Sequence, residues 1–349
     1  EATRAMAEYR DHALRLVALE PDNPDWQVEL GYAVSSLGTI EFEQRQWSIA
    51  LDDFQRSRAI NEANVAGKPD DAARLDLGQD YSYIGETLAV LGRYPEAIAS
   101  FEAEIALYDA ILAAEATHSL AAARRQWAEI FLARIELDLG RPATARPRLE
   151  RLENDLQERV TLDENDTRLR EALAVVRTER SAAELALGDS SAARASAGRA
   201  LESSRLLARM DGDNLLWQSY HAHALVAAAR AAAPDAAPNA ELAAEIEAQR
   251  TRLLELARRT PDSTFIALAA AELQQLSGDL AGEPEAAAAH WRRGLALLPA
   301  DPERRTPDEH CAALDLHRAL GQPTEAEQVV RILDGMDYRH PACGTMISP

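Results

Sequence analysis

The sequence predicts an all-α protein built as a solenoid of about seven antiparallel helix hairpins, and three observations lead there. Apolar side chains make up 47 % of the 349 residues but aromatics only 5 %. Alanine dominates that apolar content, and it fills thin helix–helix seams better than the thick core of a β-sandwich. Gly and Pro number 16 each, too few turn signals for an all-β chain of this length. The third observation is a phrase that recurs in one register: Leu-Gly, four variable residues, then Ala. It stands at Leu91-Gly92 with Ala97, Leu139-Gly140 with Ala145, Leu187-Gly188 with Ala193, and Leu320-Gly321 with Ala326. Gly92, Gly140 and Gly188 are 48 residues apart, and Ser277-Gly278 reads as a degenerate copy in the same series.

Each copy has a mechanical meaning. Before the glycine lies a segment with helical spacing, such as Tyr81, Ile84, Leu88 and Leu91. After it comes a second, with Ala97, Ile98, Phe101, Ile105 and Leu112 on one face. Glycine ends a helix because it alone enters the left-handed conformation without a steric penalty. Pro95, Pro142 and Pro323 follow within one turn, where a missing N–H costs a new helix nothing. The alanine lets the two helices approach closely. A single hairpin cannot hide its apolar face, but stacked neighbours can.

In chain order, a lone helix is expected over residues 1–19, stopped by the breaker Pro21-Asp22-Asn23-Pro24. Hairpins follow at 24–67, 70–115, 117–160, 164–210, 213–259, 262–298 and 307–336, for about fifteen helices in all. The fifth is degenerate, with Ala231 at its turn and a Pro/Ala/Asn connector from Ala233 to Asn239. The organisation is therefore an N-terminal helix (1–21), a repeat array (22–336) and an irregular segment (337–349).

With these residues assigned, the chain resembles the tetratricopeptide repeat (TPR) family. In the second hairpin Ile84-Gly85, Leu88, Gly92, Tyr94, Ala97 and Phe101 stand at the signature positions. The first matches through Leu37-Gly38, Trp47, Ala50 and Phe54, with Arg45 in place of the turn glycine, and the sixth through Trp291, Gly294 and Pro299. The spacing of 43 to 48 residues exceeds the roughly 34 of the standard repeat. The excess lengthens the helices, as in Trp47–Ala66, so the closer resemblance is to kinesin light chains and bacterial signalling proteins. The phrase from Ala18 to Trp26 and the run Tyr338-Arg339-His340-Pro341 are similar to the bacterial group.

The resemblance implies a right-handed superhelix with first helices lining a concave face. It also implies that helix 1–19 is the second half of a repeat begun upstream. Counting from the turns, the lining consists of Tyr32, Ser35, Thr39, Phe42, Gln79, Ser82, Glu86, Trp127, Ile130, Arg134, Asp138, Thr178, Gln218 and His221. This mixture of aromatic, hydroxyl, amide and charged groups suits an extended peptide or a partner helix. A carboxylate clamp of Lys, Arg and Asn is not expected: the one lysine, Lys68, falls in a loop, and Arg134 is the only base among the central lining positions.

Composition removes other classes. With 58 acidic and 37 basic side chains, a net charge of -21 and a pI near 4.8, the surface repels nucleic acid. The same charge favours a basic or mixed partner or simply keeps the array dissolved. No run of 18 apolar residues reads as a membrane span. Cys311 and Cys343 leave no disulfide framework, although a single late bridge stays open. His310, Cys311, His317, His340 and Cys343 lack zinc-ligand spacing, and His221 and His223 point to different helix faces, so no metal or other cofactor is expected. Phosphate-loop, dinucleotide, metalloprotease and nucleophile-elbow signatures are absent, so no catalytic residue is assigned.

The expectation is a non-catalytic, cytoplasmic module for binding protein or peptide, the C-terminal sensor or scaffold part of a larger bacterial signalling or defence protein. Two alternatives stay open. The superhelix could close on a small peptide or metabolite to control an effector domain, or apolar terminal hairpins could self-associate.

Overall fold

The computed structural model describes residues 2–21, 23–163, 165–232, 239–260 and 263–343. Among them are fifteen α-helices and no strand. By its internal contacts the chain divides into two compact units, Glu1–Ile135 and Glu136–Pro349. The boundary falls inside a helix. In a solenoid each repeat touches only its neighbours, so few contacts cross any one cut.

The first unit contains α1 (Ala2–Leu19), α2 (Pro24–Glu43), α3 (Trp47–Gly67), α4 (Asp71–Val90), α5 (Tyr94–Ala114) and most of α6 (Ser119–Asp138). The second contains the end of α6, then α7 (Pro142–Leu162), α8 (Thr167–Ala186), α9 (Ser190–Met210), α10 (Leu215–Ala231) and α11 (Ala240–Arg259). It continues with α12 (Thr264–Asp279), α13 (Pro284–Leu297), a 3-10 turn at Pro302–Arg304, α14 (Pro307–Ala319) and α15 (Pro323–Gly335). The expected hairpins are α2/α3, α4/α5, α6/α7, α8/α9, α10/α11, α12/α13 and α14/α15. Residues Ala233–Pro238 of the expected connector and residues 344–349 lie outside the described ones.

The turns work as the glycines imply. Gly92, Gly140, Gly188 and Gly321 have φ of 69°, 67°, 78° and 67°. Around each, the following N–H reaches five residues back: Arg93 to Leu88, Arg141 to Glu136, Asp189 to Glu184 and Gln322 to His317, at 2.8 to 2.9 Å. The glycine N–H bonds three residues back, which completes a Schellman motif. Arg45 takes the same role at φ 59°, and Asp337 closes α15 at φ 54°. Gly278 departs from expectation. It sits within α12 and is buried, and an added Cβ would collide with Trp291 Nε1. Its role is to admit the Trp291 indole of α13, not to turn the chain.

Start signals alternate with the turns. First helices open on side-chain caps: Asn23, Asp70, Asp166, Asn214, Ser263 and Thr306 each accept a bond from an N–H of the first turn. Thr306 and Glu309 form a full capping box. Second helices follow a tight turn and open with proline in α5, α7, α13 and α15.

Within each hairpin, small residues face large ones. Ala97, Ala145 and Ala193 are completely buried in the seams, and Ala326 nearly so. Gly38, Gly78 and Gly85 lie beneath the rings of Phe54, Tyr108 and Phe101. Each second helix also packs on the next first helix, as α3 on α4, α7 on α8 and α9 on α10. In the second unit α8, α10, α12 and α14 also pack in series, and second helices show no comparable contact with one another among the described residues. The first helices therefore form the inner layer of that unit. α1 packs on α2 through Ala13, Leu30, Ala33 and Val34.

This packing separates two glycines that look alike in sequence. At Gly85 a Cβ would meet the Phe101 ring at 2.8 Å, whereas Gly198, exposed on α9, has nothing within 4 Å. Gly85→Ala is expected to destabilise the chain by about 1–3 kcal/mol through overpacking. Gly198→Ala should stabilise it by up to about 1 kcal/mol through helix propensity. Denaturant unfolding of both variants checks the opposite signs.

Candidate binding face

In the first unit the exposed sides of α2, α4 and α6 collect most of the expected lining. Tyr32 is 47 % exposed, and its hydroxyl donates to Asp76 Oδ2 at 3.1 Å, which ties α2 to α4. Ser35 and Thr39 lie half-buried one turn apart, the Thr39 hydroxyl donating to the Ser35 carbonyl at 3.1 Å. Phe42 and Gln79 are also half-buried. Tyr83 stacks on Phe54 with ring centroids 4.8 Å apart. From α6, Trp127 tilts against Phe131, which stacks on Phe101 at 5.1 Å, and Arg124 donates to the Leu75 carbonyl at 2.8 Å.

The same unit holds carboxyls that burial raises above their ordinary range. Burial pushes Asp80 up to about 7, against hydrogen bonds from Ser57 and Asn61 that favour its charge. Asn61 Nδ2 donates to it at 2.7 Å. Burial likewise lifts Glu86 to about 7, with the Arg134 charge and the Ser82 hydroxyl pulling the other way. Glu104 of α5 is only 1 % exposed, and burial with the nearby Glu86 charge raises it to about 9. Its Oε2 finds no hydrogen-bond partner of good geometry, and neither does the Tyr108 hydroxyl. Burial also raises the Asp76 carboxyl and the Tyr108 phenol. Ser82 bridges Glu86 and Glu104 and is itself buried.

Besides Ser82, three expected lining residues are buried. Ile130 is 1 % exposed and packs in the hydrophobic seam, because it falls one position away from the exposed stripe of α6. Gln218 is buried, donates to the Ala208 carbonyl at 3.0 Å and accepts from Gln249 Nε2 at 3.0 Å. His221 faces α9 and α11 rather than the inner layer: Ser204 lies 3.2 Å from Nδ1, and Glu245 3.3 Å from Nε2. Burial lowers its pKa to about 4, against the pull of Glu245.

In the second unit Thr178 is half-buried and bonds the Ala174 carbonyl at 2.9 Å, while Asp138 offers its carbonyl to the Arg339 N–H. Sequence reading missed the groups that do most here. Trp217 Nε1 of α10 donates to Glu171 of α8 at 2.6 Å, and His223 of α10 contacts Glu272 of α12 at 2.8 Å. Deeper, Glu153 of α7 accepts from Arg177 and Arg180 of α8 at 2.9 Å and from Arg199 of α9 at 3.0 Å. Burial opposes its charge, but these bonds outweigh it and hold the carboxyl below its ordinary range. That network locks three helices and is structural.

No cluster of three metal-ligating side chains occurs among the described residues, and no described helix is long and apolar enough to cross a membrane. Cys311 and Cys343 form a disulfide.

No family model and no curated protein matches the sequence. Solved structures do. The chain is similar to the Rap conjugation gene regulator of plasmid pLS20 in complex with the Phr* peptide, at TM-score 0.58 and 13 % identity over 92 % of this chain and 79 % of that one. It is similar to the apo quorum sensor NprR from B. thuringiensis, at TM-score 0.56 and 12 % identity over 95 % and 83 %. A Rap protein complexed with competence and sporulation factor gives TM-score 0.51 and 12 % identity over 95 % and 84 %. The fold is TPR-like. In a TPR-like array the signature residues pack hairpins, so carboxyls pressed into those seams stand apart from the fold's needs.

The raised carboxyls set a pH dependence. Native Glu104 keeps its proton up to about 9, whereas the unfolded chain loses it near 4.5. Its stabilising contribution is therefore full below about 4.5 and is lost as pH rises toward 9. The melting temperature should fall on the order of 5 °C between pH 5.5 and 8.5. Glu104→Gln should remove much of that slope while retaining the native helicity.

Proposed function

We propose that the chain is a non-catalytic peptide- or protein-binding module, and that the α2/α4/α6 face of the first unit takes a partner carrying a cationic side chain. The observation that carries this reading is the pair of carboxyls Glu86 and Glu104, raised by burial and linked through Ser82, in the same unit as the partly exposed rings of Tyr32 and Trp127. Aromatic rings supply contact area at low entropic cost. A lysine or arginine reaching Glu86 would relieve a carboxyl whose charge only Arg134 and Ser82 now support. The Rap structures complexed with a peptide and with competence and sporulation factor support the reading, since those proteins share the fold. The setting that fits is the sensor or scaffold part of a bacterial signalling protein in the cytoplasm.

Isothermal titration with synthetic peptides of matched length, one Lys/Arg-rich with an aromatic residue and one Glu-rich, tests the proposal. The basic peptide should bind and the acidic one should not. Tyr32→Ala and Trp127→Ala should each weaken binding about tenfold, as removal of an aromatic anchor does. Affinity should rise severalfold from pH 6 to 8 as Glu86, near 7, ionises. Equal binding of both peptides, or indifference to both substitutions, refutes this assignment of the face.

A further inference from the structure

The segment after α15 makes contacts that the repeat pattern does not require. Asp337 turns the chain out of the helix, and residues 338–343 run on without regular structure. The Tyr338 hydroxyl donates to Asp308 Oδ1 of α14 at 2.7 Å, from a fully buried ring. The Arg339 N–H donates to the Asp138 carbonyl at the end of α6, at 2.5 Å. Arg339 Cβ lies so close over Gly140 that a methyl added there would be 2.9 Å away. His340 acts electrostatically on Glu272 of α12, the partner of His223, and favours its charged form. Cys343 is bonded to Cys311 of α14, with Cα atoms 5.2 Å apart. These six residues thus reach α6, α12 and α14, all first helices, and join the two ends of the second unit across its inner layer.

We propose that residues 338–343 are an internal occupant of the second unit's inner layer, latched by the Cys311–Cys343 disulfide, and that a dithiol reductant releases the latch and admits a peptide of the same aromatic–cationic chemistry. This rests on reading the first-helix layer as the binding layer. The contacts are those of a ligand: a phenol on a carboxylate, a backbone N–H on a helix-end carbonyl, an imidazole acting on a carboxylate. The α14/α15 hairpin does not need the bridge, since its own turn at Gly321 and the buried Leu314, Val329 and Leu333 already close it. The bridge spans a sequence separation of 32 and adds a second tether to a segment already attached to α15, which keeps its effective concentration high. In the release step one thiolate of the dithiol attacks a cystine sulfur. Its second thiol then resolves the mixed disulfide, so both cysteines leave as thiols and the reductant as a cyclic disulfide. Both cysteines are buried, so exchange awaits local fraying of the segment.

The test uses the whole chain, oxidised and treated with dithiothreitol, together with Cys343→Ser. Hydrogen exchange is followed by mass spectrometry across 334–343 and 136–141. A fluorescent peptide of residues 336–343 with serine for Cys343 serves as the probe. Reduction and Cys343→Ser should each speed exchange at 338–342 at least tenfold and leave amides 307–335 protected. The probe should bind the reduced chain at least tenfold more tightly than the oxidised one. It should bind tighter still when Arg339→Pro deletes the N–H bonded to Asp138, and at least fivefold more weakly with Asp308→Ala. Unchanged exchange on reduction, or equal probe binding by oxidised and reduced chains, overturns the proposal. Loss of protection across 307–335 also overturns it, by making the bridge a structural staple. Failure of the basic peptide on the first unit would refute that face alone, because the exchange readout at 338–342 does not depend on it.

Discussion

Five of the hairpins, α2/α3, α4/α5, α6/α7, α8/α9 and α14/α15, depend on one residue in the left-handed conformation. A helix can reverse within three residues only if its last carbonyls are satisfied while the chain turns, and the Schellman bonds at Gly92, Gly140, Gly188 and Gly321 do both. The tight reversal sets two long helices side by side at their ends, which forces the seam next to the turn to be thin. Hence the buried alanine five residues after each of these glycines. Further from the turn the helices have room for larger groups, and there glycines of α2 and α4 meet rings from α3 and α5. Turn, small residue and ring on glycine are successive consequences of one backbone constraint.

Long helices extend that logic. Helices α2 to α9 run 20 or 21 residues each, which accounts for the 48-residue spacing of the first three turn glycines. A longer hairpin presents more seam to its neighbours, so its central positions lie far from either end and from water. Polar side chains placed there need partners supplied by the array itself. Inter-hairpin bonds such as Tyr32 to Asp76, Trp217 to Glu171 and Arg205 to Glu245 meet part of that need.

Most of the fold could be read from the sequence, because the signals were local. The αL glycines, first-turn prolines and capping residues each fix one boundary, and the hairpin limits follow within a few residues. Gly278 misled because a glycine in a first helix can serve either turn or close packing, and only the neighbouring Trp291 decides which. The exposed positions were harder. Helical counting put Tyr32, Thr39 and Trp127 at positions that keep some exposure, but Ile130, Gln218 and His221 are buried. Asp80 was overlooked although it shares a face with Leu77 and Ile84, both buried. A carboxylate on an apolar stripe was the available signal. The contacts of residues 338–343 had no local signal at all, since they join segments distant in sequence.

A comparison between two buried glutamates explains where the chain tolerates cost. Glu153 lies in a seam of the second unit and meets three guanidinium groups, so its charge is fully supported. Glu104 lies in a seam of the first at similar depth, yet it faces another carboxyl, Glu86, and only the Ser82 and Tyr108 hydroxyls and the Arg124 charge act to support its ionisation. Three arginines bond directly to the one carboxyl, whereas a single arginine, Arg124, acts on the other through its charge. Packing alone would be served better by a leucine at 104, because an uncompensated buried carboxyl destabilises the native state. In a quasi-one-dimensional array, a hairpin seamed on both sides can host such a group without unfolding. Retained frustration of this kind collects at functional sites. Ser82 connects Glu104 to Glu86, which keeps some exposure on the α4 surface. A cation arriving at Glu86 would therefore act on the charge balance of both carboxyls, and the seam would stabilise only when the partner is bound.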